Sequence, residues 1–269
     1  MFFNKKKKVQ KVEIQLFDSI THLDSPVFDK ERDSIFERMP KVGIEGVLIA
    51  GVTQDKWRLI RQLAALKKNV YSAIGLHPSF LAEHSKKNLR DLELAVSVKP
   101  LWAIGEIGLD YYEENVNRKA QIDLFSAQIQ IAKAAKLPVI LHIRKAHEDA
   151  LIYLKALDFK EGGIVHAFNG SLQQAQRYMD MGFKLSFGGA MTYPNAVKLK
   201  KLAAELPLES LVLETNSPDM KPYNCKKAHN TPFQIFDVFN ELCKIREESP
   251  SEIARTTCNN SKQILRINS

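Results

Sequence analysis

The chain is poor in cysteine and has no long hydrophobic segment. These two features argue against a disulfide-rich protein and against a membrane-spanning protein. Its three cysteines, Cys225, Cys243 and Cys258, are an odd number without CxxC spacing. That pattern argues against a disulfide framework or a structural zinc knot. No apolar run approaches the roughly 18 residues of a membrane-spanning helix, and nothing at the N-terminus resembles a secretory signal. We therefore predict a cytoplasmic protein with no membrane partner, and we expect a monomer.

Acidic residues are absent from the first eleven positions, which hold five lysines. Subtracting these five charges from the formal net charge of +8 leaves +3 on residues 12–269. A block of like charge usually stays solvated and without fixed structure. We interpret residues 1–11 as a basic, flexible tail. The functional alternative is weak attraction to nucleic-acid phosphates or to an anionic membrane.

Eight short apolar runs alternate with longer amphipathic stretches. The runs span 12–18, 45–51, 70–77, 101–106, 138–143, 163–168, 183–189 and 211–215. Val/Ile/Leu-rich runs are typical of parallel strands buried on both faces, and eight alternations indicate an α/β protein with a closed (β/α)₈ fold, the TIM barrel. An open doubly wound sheet usually has a glycine-rich phosphate loop after its first strand, which this chain lacks. We predict a single barrel domain over residues 12–269.

Polar residues recur where these predicted strands end, which is where a barrel places its active site. They are Asp18 and His22, His77, Glu106, His142, His166, and Glu214 with Asn216. One histidine at a strand end is commonly a packing residue, but several on different strands converge on one point. Imidazole with carboxylate suits Zn²⁺, Mn²⁺, Fe or Ni²⁺, and more carboxylate favours Mg²⁺. Such a cation activates water and polarises a phosphoryl or carbonyl oxygen, so the pattern indicates hydrolysis.

Five segments also carry a family resemblance. They are GLHP (75–78), GEIGLDYY (105–112), PVILHIRKAHE (138–148), VHAFNGSLQQA (165–175) and GGAMTYP (188–194). Together they resemble the TatD-type metal-dependent hydrolases of the amidohydrolase superfamily, from about Leu16 to Leu265. The resemblance implies a TIM barrel that holds one or two divalent cations and hydrolyses phosphate esters, above all at DNA ends.

Two positions depart from that family's motifs. The family usually begins FD[ST]HxHLD, and both histidines bind one metal; here the segment reads FDSITHLD, with Ile20 for the first histidine and His22 for the second. The family usually ends a late strand in ETDxPD, whose first aspartate binds that metal and handles the proton of the attacking water. Here it reads ETNSPD, with Asn216. A neutral amide can offer an oxygen but takes no proton.

Carried over by position, the resemblance implies one intact metal site and one eroded site. Glu106, His142 and His166 would hold a cation with water as the fourth ligand. His22 and Asn216 would remain from the second site, which in the family shares Glu106. We therefore expect one divalent cation (Zn²⁺, Mn²⁺, Mg²⁺ or Ni²⁺) instead of two, with Glu106 and Asn216 at the catalytic positions.

Other residues near these motifs have predicted roles. His77 and Arg144 are the predicted substrate-binding residues, because an imidazole and a guanidinium can both hold a phosphate. Tyr111 and Tyr112 are expected at the rim, where they either stack a base or simply pack. We interpret Asp110 as orienting its neighbours, Glu214 as structural, and Lys145 with His147 as a solvated helix start.

Three functions remain open from the sequence. The preferred hypothesis is a deoxyribonuclease-like hydrolase that cleaves phosphodiester bonds of DNA with metal-activated water. The second is a catalytically impaired barrel that keeps a binding role, which Ile20 and Asn216 motivate. The third is a hydrolase of another ester or amide, such as an aminoacyl-tRNA, because a fold does not decide its substrate.

Overall fold

A computed structural model describes residues 14–267 and confirms the predicted TIM barrel. The eight strands are β1 Leu16–Thr21, β2 Ile44–Ala50, β3 Val70–Ile74, β4 Ala103–Asp110, β5 Val139–Arg144, β6 Gly163–Val165, β7 Phe183–Phe187 and β8 Leu211–Leu213. Each strand pairs in parallel with the next along the chain. The predicted basic tail, residues 1–11, lies outside the described residues.

Helices connect the strands and cover the outside of the barrel. They are α1 Arg32–Arg38, α2 Gln54–Leu66, α3 Lys86–Ala95, α4 Arg118–Ala135, α5 His147–Ala156, α6 Leu172–Asp180, α7 Val197–Glu205, α8 Ile235–Ile245 and α9 Pro250–Ile264. Of the described helices, none is long and apolar enough to cross a membrane. The three cysteines are free.

The core has two layers. The inner layer fills the barrel with apolar side chains from the strands, including Phe17, Ile20, Leu48 and Ile140. The outer layer lies between strands and helices and holds most of the buried apolar side chains. The C-terminal ends of the strands are left for the active site, as is usual in barrels of this kind.

The barrel closes through backbone atoms at the C-terminal end of β1. The Asn216 N–H donates to the Ile20 carbonyl oxygen at 2.9 Å, and the His22 N–H donates to the Ser217 carbonyl oxygen at 2.7 Å. Asn216 has a φ of 51°, in the left-handed region, which asparagine tolerates better than most residues. The two positions that depart from the family motif therefore meet at the seam that closes the barrel.

Two predicted strand boundaries were wrong. Asp18 lies inside β1 and does not follow it, because the strand begins at Leu16 and runs to Thr21. Glu106 lies in the middle of β4, which continues to Asp110. In both cases the strand continues through polar residues, so it ends later than its apolar run does.

Asp18 is completely buried and fastens β1 to the segment after β8. Its carboxylate accepts hydrogen bonds from the Thr215 N–H at 2.8 Å and from the Thr215 hydroxyl at 2.5 Å. Burial raises the pKa of Asp18, and although the bonds from Thr215 oppose this effect, the pKa reaches about 7. The folded protein therefore holds this proton more tightly than the unfolded chain does.

We predict that Asp18→Asn changes how stability depends on pH. In the unmodified protein, ionisation of Asp18 lowers the free energy of unfolding as pH rises from about 4 to about 7, by up to roughly 1.4 kcal/mol per pH unit. Asparagine has no such ionisation and can still pair with both Thr215 groups. Urea unfolding at both ends of this window should show the variant gaining stability, relative to the unmodified protein, at the higher pH. An equal difference at both ends would contradict the prediction.

Candidate metal centre

The buried carboxylate of Glu106 lies among four imidazoles. Its exposed fraction is 2%. Its oxygens lie 3.3 Å from His22 Nε2, 3.4 Å from His142 Nδ1, 3.6 Å from His77 Nε2 and 3.8 Å from His166 Nε2. Burial raises the pKa of Glu106, but His166 and the hydrogen bonds of the other imidazoles outweigh it and hold the pKa well below its ordinary value. The carboxylate is therefore ionised, and its position suits a cation.

Close pairing of β4 and β5 brings His142 beside Glu106. Gly108 pairs with His142 across the two strands. A Cβ at Gly108, which has a φ of 154°, would lie 1.8 Å from the His142 carbonyl oxygen. The glycine of the GEIGLD segment is thus needed because any side chain would push the strands apart at the level of the site.

Two further carboxylates orient two of the imidazoles. Asp110 Oδ2 lies 3.0 Å from His142 Nε2, and Glu214 Oε2 lies 2.8 Å from His166 Nδ1. Each carboxylate accepts the ring N–H, so the remaining nitrogen of each histidine turns its lone pair toward Glu106. A carboxylate behind a histidine is the usual support of a metal ligand, and it raises the ligand's basicity. Asp110 lies where its predicted orienting role requires, and Glu214 contacts the site directly.

The other two imidazoles, those of His22 and His77, differ in which ring nitrogen carries the proton. His22 Nδ1 lies 2.9 Å from the Ala50 carbonyl oxygen and must donate to it, which leaves the Nε2 lone pair free. His77 Nδ1 accepts the Ser79 N–H at 3.1 Å, so its proton is on Nε2. A protonated nitrogen cannot bind a metal. His77 belongs, with Glu106 and His142, to a group whose ligand atoms all lie within 4.8 Å of one another, but its tautomer favours hydrogen-bond donation over ligation.

Asn216 and His22, the two residues predicted to remain from a second metal site, contact each other. Its Oδ1 lies 3.1 Å from His22 Nε2, which also faces Glu106. Ile20 is completely buried in the inner layer and contributes no polar atom. One neutral imidazole and one amide are a poor ligand set beside the carboxylate, because a cation favours charged or strongly basic donors.

The imidazole nitrogens that face Glu106 require a positive charge, either a proton or a metal ion, between them and the carboxylate. Burial lowers the pKa of His22 and of His142, but bonding to Glu106 (and, for His142, to Asp110) outweighs it and raises each pKa to about 9. A nitrogen lone pair that points at a carboxylate oxygen is repelled by it. Each imidazole nitrogen that faces Glu106 therefore holds either a proton or a metal ion. The residues therefore fit a divalent cation, and its binding must displace protons.

The cluster lines a cavity of about 740 Å³. Arg144 lines the same cavity, and its guanidinium lies over the exposed ring of Tyr112, 3.5 Å from the ring centre. Asp24 also lines it; this side chain is 5% exposed, and its Oδ1 has no hydrogen-bond partner among residues 14–267. Sequence reasoning did not single out Asp24, although it stands two residues after His22 in the FDSITHLD segment.

Two predictions near the site were wrong. Tyr111 is not a rim residue: it is 6% exposed, and its hydroxyl donates to Asp149 at 2.9 Å. His147 is not a solvated helix start: it is 7% exposed and lies 3.3 Å from the Tyr178 hydroxyl and 3.2 Å from Asn169 Oδ1. Both side chains turn into the layer between strands and helices.

A (β/α)₈ barrel with histidines around a buried glutamate at its C-terminal face has the construction of a metal-dependent hydrolase. Residues 17–266 match the family model described as TatD related DNase. The chain belongs to this family.

Individual relatives agree with this assignment. The chain is 36% identical to the uncharacterized metal-dependent hydrolase YjjV of Escherichia coli K12, over 94% of this chain and 98% of the relative. The crystal structure of that TatD homologue has a TM-score of 0.91 at 35% identity, covering 95% of this chain and 99% of the other. The 3'-5' ssDNA/RNA exonuclease TatD of Salmonella typhimurium is 29% identical, over 94% of this chain and 99% of its own.

The different tautomers of His166 and His77 predict different contributions to metal binding. His166→Ala removes a lone pair aimed at the cation and should weaken Mn²⁺ or Zn²⁺ binding by more than about 100-fold. His77→Ala removes only a hydrogen-bond donor that faces Glu106 and should weaken binding less, by about 10- to 100-fold. Competition with a fluorescent chelator measures both affinities without any substrate. Equal losses would show that His77 is a ligand and that the tautomer argument is wrong.

Proposed function

We propose that the protein hydrolyses phosphodiester bonds of DNA with water activated by one divalent cation. The observation that carries the proposal is the set of oriented lone pairs on His142 and His166 beside Glu106, in a cavity that also holds Arg144. A family described as TatD related DNase and a relative named as a 3'-5' ssDNA/RNA exonuclease support this substrate.

In this proposal Glu106, His142 and His166 would hold the cation, which would supply a water of lowered pKa and polarise a phosphoryl oxygen. Arg144 holds the substrate phosphate through its guanidinium. His77 donates its Nε2–H to a phosphate oxygen, as its tautomer allows. Asn216 can position a water or a hydroxyl by hydrogen bonding but takes no proton, so the base that the family motif provides is missing here.

An impaired barrel that keeps a binding role is the second candidate, and the surroundings of Ile20 favour it. Ile20 is completely buried among the apolar side chains of the inner layer. The Ile20 side chain therefore offers no ligand to a second cation, and His22 and Asn216 remain beside Glu106 at that position. The third candidate is hydrolysis of another ester or amide, such as an aminoacyl-tRNA. It would use the same cavity and differs from hydrolysis of DNA only in the substrate.

We predict that the protein releases nucleotides from single-stranded DNA when Mg²⁺, Mn²⁺, Zn²⁺ or Ni²⁺ is present. Glu106→Gln should abolish release, because it removes the central charge of the cluster. Chromatography of the products from an end-labelled oligonucleotide measures the rate and the polarity of release. No release with any of the four cations would overturn the proposal, and cleavage of an aminoacyl-tRNA alone would support the alternative substrate.

Restoring the motif residues tests how much activity the two substitutions cost. Ile20→His with Asn216→Asp returns one ligand, one charge and a general base, and general-base catalysis is worth about 10²- to 10⁴-fold in rate. Aspartate also tolerates the left-handed φ of residue 216. If the unmodified protein is active, we expect a gain within that range and two bound metal ions instead of one, measured by elemental analysis. A large gain from an inactive parent would instead support the impaired barrel.

A further inference from the structure

Two exposed tyrosines lie side by side at the C-terminal end of the barrel. Tyr193 is 40% exposed and Tyr223 is 55% exposed. Their ring centres are 5.4 Å apart, and the rings meet edge to face at 67°. The Tyr223 N–H donates to the Thr192 hydroxyl at 2.8 Å and so joins the two loops that carry the rings. The backbone thus holds the pair in place, and much of the ring surface faces water.

The tyrosine pair adjoins the candidate active site. A second cleft of about 480 Å³ is lined by Tyr193 and Lys221 together with four residues that also line the central cavity. The shared residues are Ala190, Pro218, Asp219 and Met220. A chain-like ligand with one end in the central cavity can therefore continue across these shared walls into the cleft beside Tyr193.

Positive charge lies on the loop that carries Tyr223 and on the helix that follows the loop of Tyr193. Residues 217–231 contain three lysines and one aspartate, a net charge of +2, and Lys198, Lys200 and Lys201 lie on α7. Lys200 and Lys201 pair with Glu241 and Glu205. Lys226 and Lys227 are exposed and form no ion pair with any other described residue.

Tyr112, on the other side of the cavity, is less suited to stacking. Its ring is 47% exposed, but the guanidinium of Arg144 lies 3.5 Å from the ring centre and the ammonium of Lys145 lies 4.7 Å from it. Cations already occupy its π-surface. The pair of Tyr193 and Tyr223 has no such cover among the described residues.

We propose that Tyr193, Tyr223, Lys226 and Lys227 form a binding subsite for a single strand of nucleic acid, outside the catalytic cavity. This inference rests on the proposed function, which places the end of the strand in that cavity. Exposed rings stack unpaired bases, and lysines contact the backbone, which is how proteins bind single strands without regard to sequence. A duplex fits poorly, because its bases already stack on one another.

Binding of a hydrolysis-resistant phosphorothioate oligothymidylate of about ten nucleotides tests the subsite. Fluorescence anisotropy with the full chain gives the affinity and needs no turnover. Tyr193→Leu with Tyr223→Leu should weaken binding by tenfold or more, because one stacked base contributes about 1–3 kcal/mol. Tyr193→Phe with Tyr223→Phe keeps the rings and should keep the affinity. Equal losses in the leucine and phenylalanine pairs, or no loss in either, would overturn the stacking role.

The lysines are tested by the salt dependence of the same affinity. Lys226→Ala with Lys227→Ala should reduce the steepness of the slope of log affinity against log salt concentration by about 1.4, because each phosphate contact to a single strand contributes about 0.7. Lys155, in the last turn of α5, and Lys160, shortly after that helix ends, are also exposed but lie at the opposite end of the barrel. Lys155→Ala with Lys160→Ala is therefore the matched control and should leave the slope unchanged. The same slope in both double variants would contradict the subsite.

Substrate length separates failure of the subsite from failure of the proposed function. If the protein hydrolyses DNA, the leucine pair should slow cleavage of the long oligonucleotide and leave cleavage of a dinucleotide unchanged. Active protein with equal effects on both lengths overturns the subsite alone. Absence of all hydrolysis overturns the proposed function, while the anisotropy result still decides whether the subsite binds a strand.

Discussion

The buried charge of Glu106 is the constraint on which the rest of the site depends. A carboxylate with 2% exposure is costly unless positive or hydrogen-bonding groups surround it. Four imidazoles from separate segments meet this need, and Asp110 and Glu214 in turn orient two of them. The arrangement is stable only with protons or a cation between the imidazoles and the carboxylate. One buried charge thus constrains the residue types that can stand at the converging strand ends around it.

Where β1 meets the segment after β8, backbone atoms close the barrel, whereas side chains determine the chemistry of the site. Asn216 closes the barrel through its backbone N–H and the Ile20 carbonyl oxygen, at 2.9 Å. The bond is independent of both side chains, provided that residue 216 tolerates a left-handed φ. Substitutions here therefore change the charge and the ligands of the site and leave the barrel closed. This separation explains how a chain of this family can lose part of its motif without losing its fold.

Patterns in the sequence were reliable where one physical rule acts alone. The eight buried strands follow from apolar runs, and α6 begins directly after Ser171, a residue type that favours the start of a helix. Errors arose where a side chain's direction depends on its neighbours. His147 stands at the start of α5, yet it turns inward to Tyr178 and Asn169. Tyr111 and Tyr112 are adjacent, but only Tyr112 is exposed, and a dipeptide does not reveal which ring faces the solvent.

By itself, the sequence determined the order of strands and helices, the residue types available as ligands, and the two departures from the family motif. Those properties are local: they depend on spacing, propensity and chemical identity. Only the tertiary structure decided that His77 carries its proton on Nε2, and that Tyr193 meets Tyr223 across 30 positions of the chain. Tautomers and exposed rings depend on atoms brought together by barrel closure, and no local pattern contains that information.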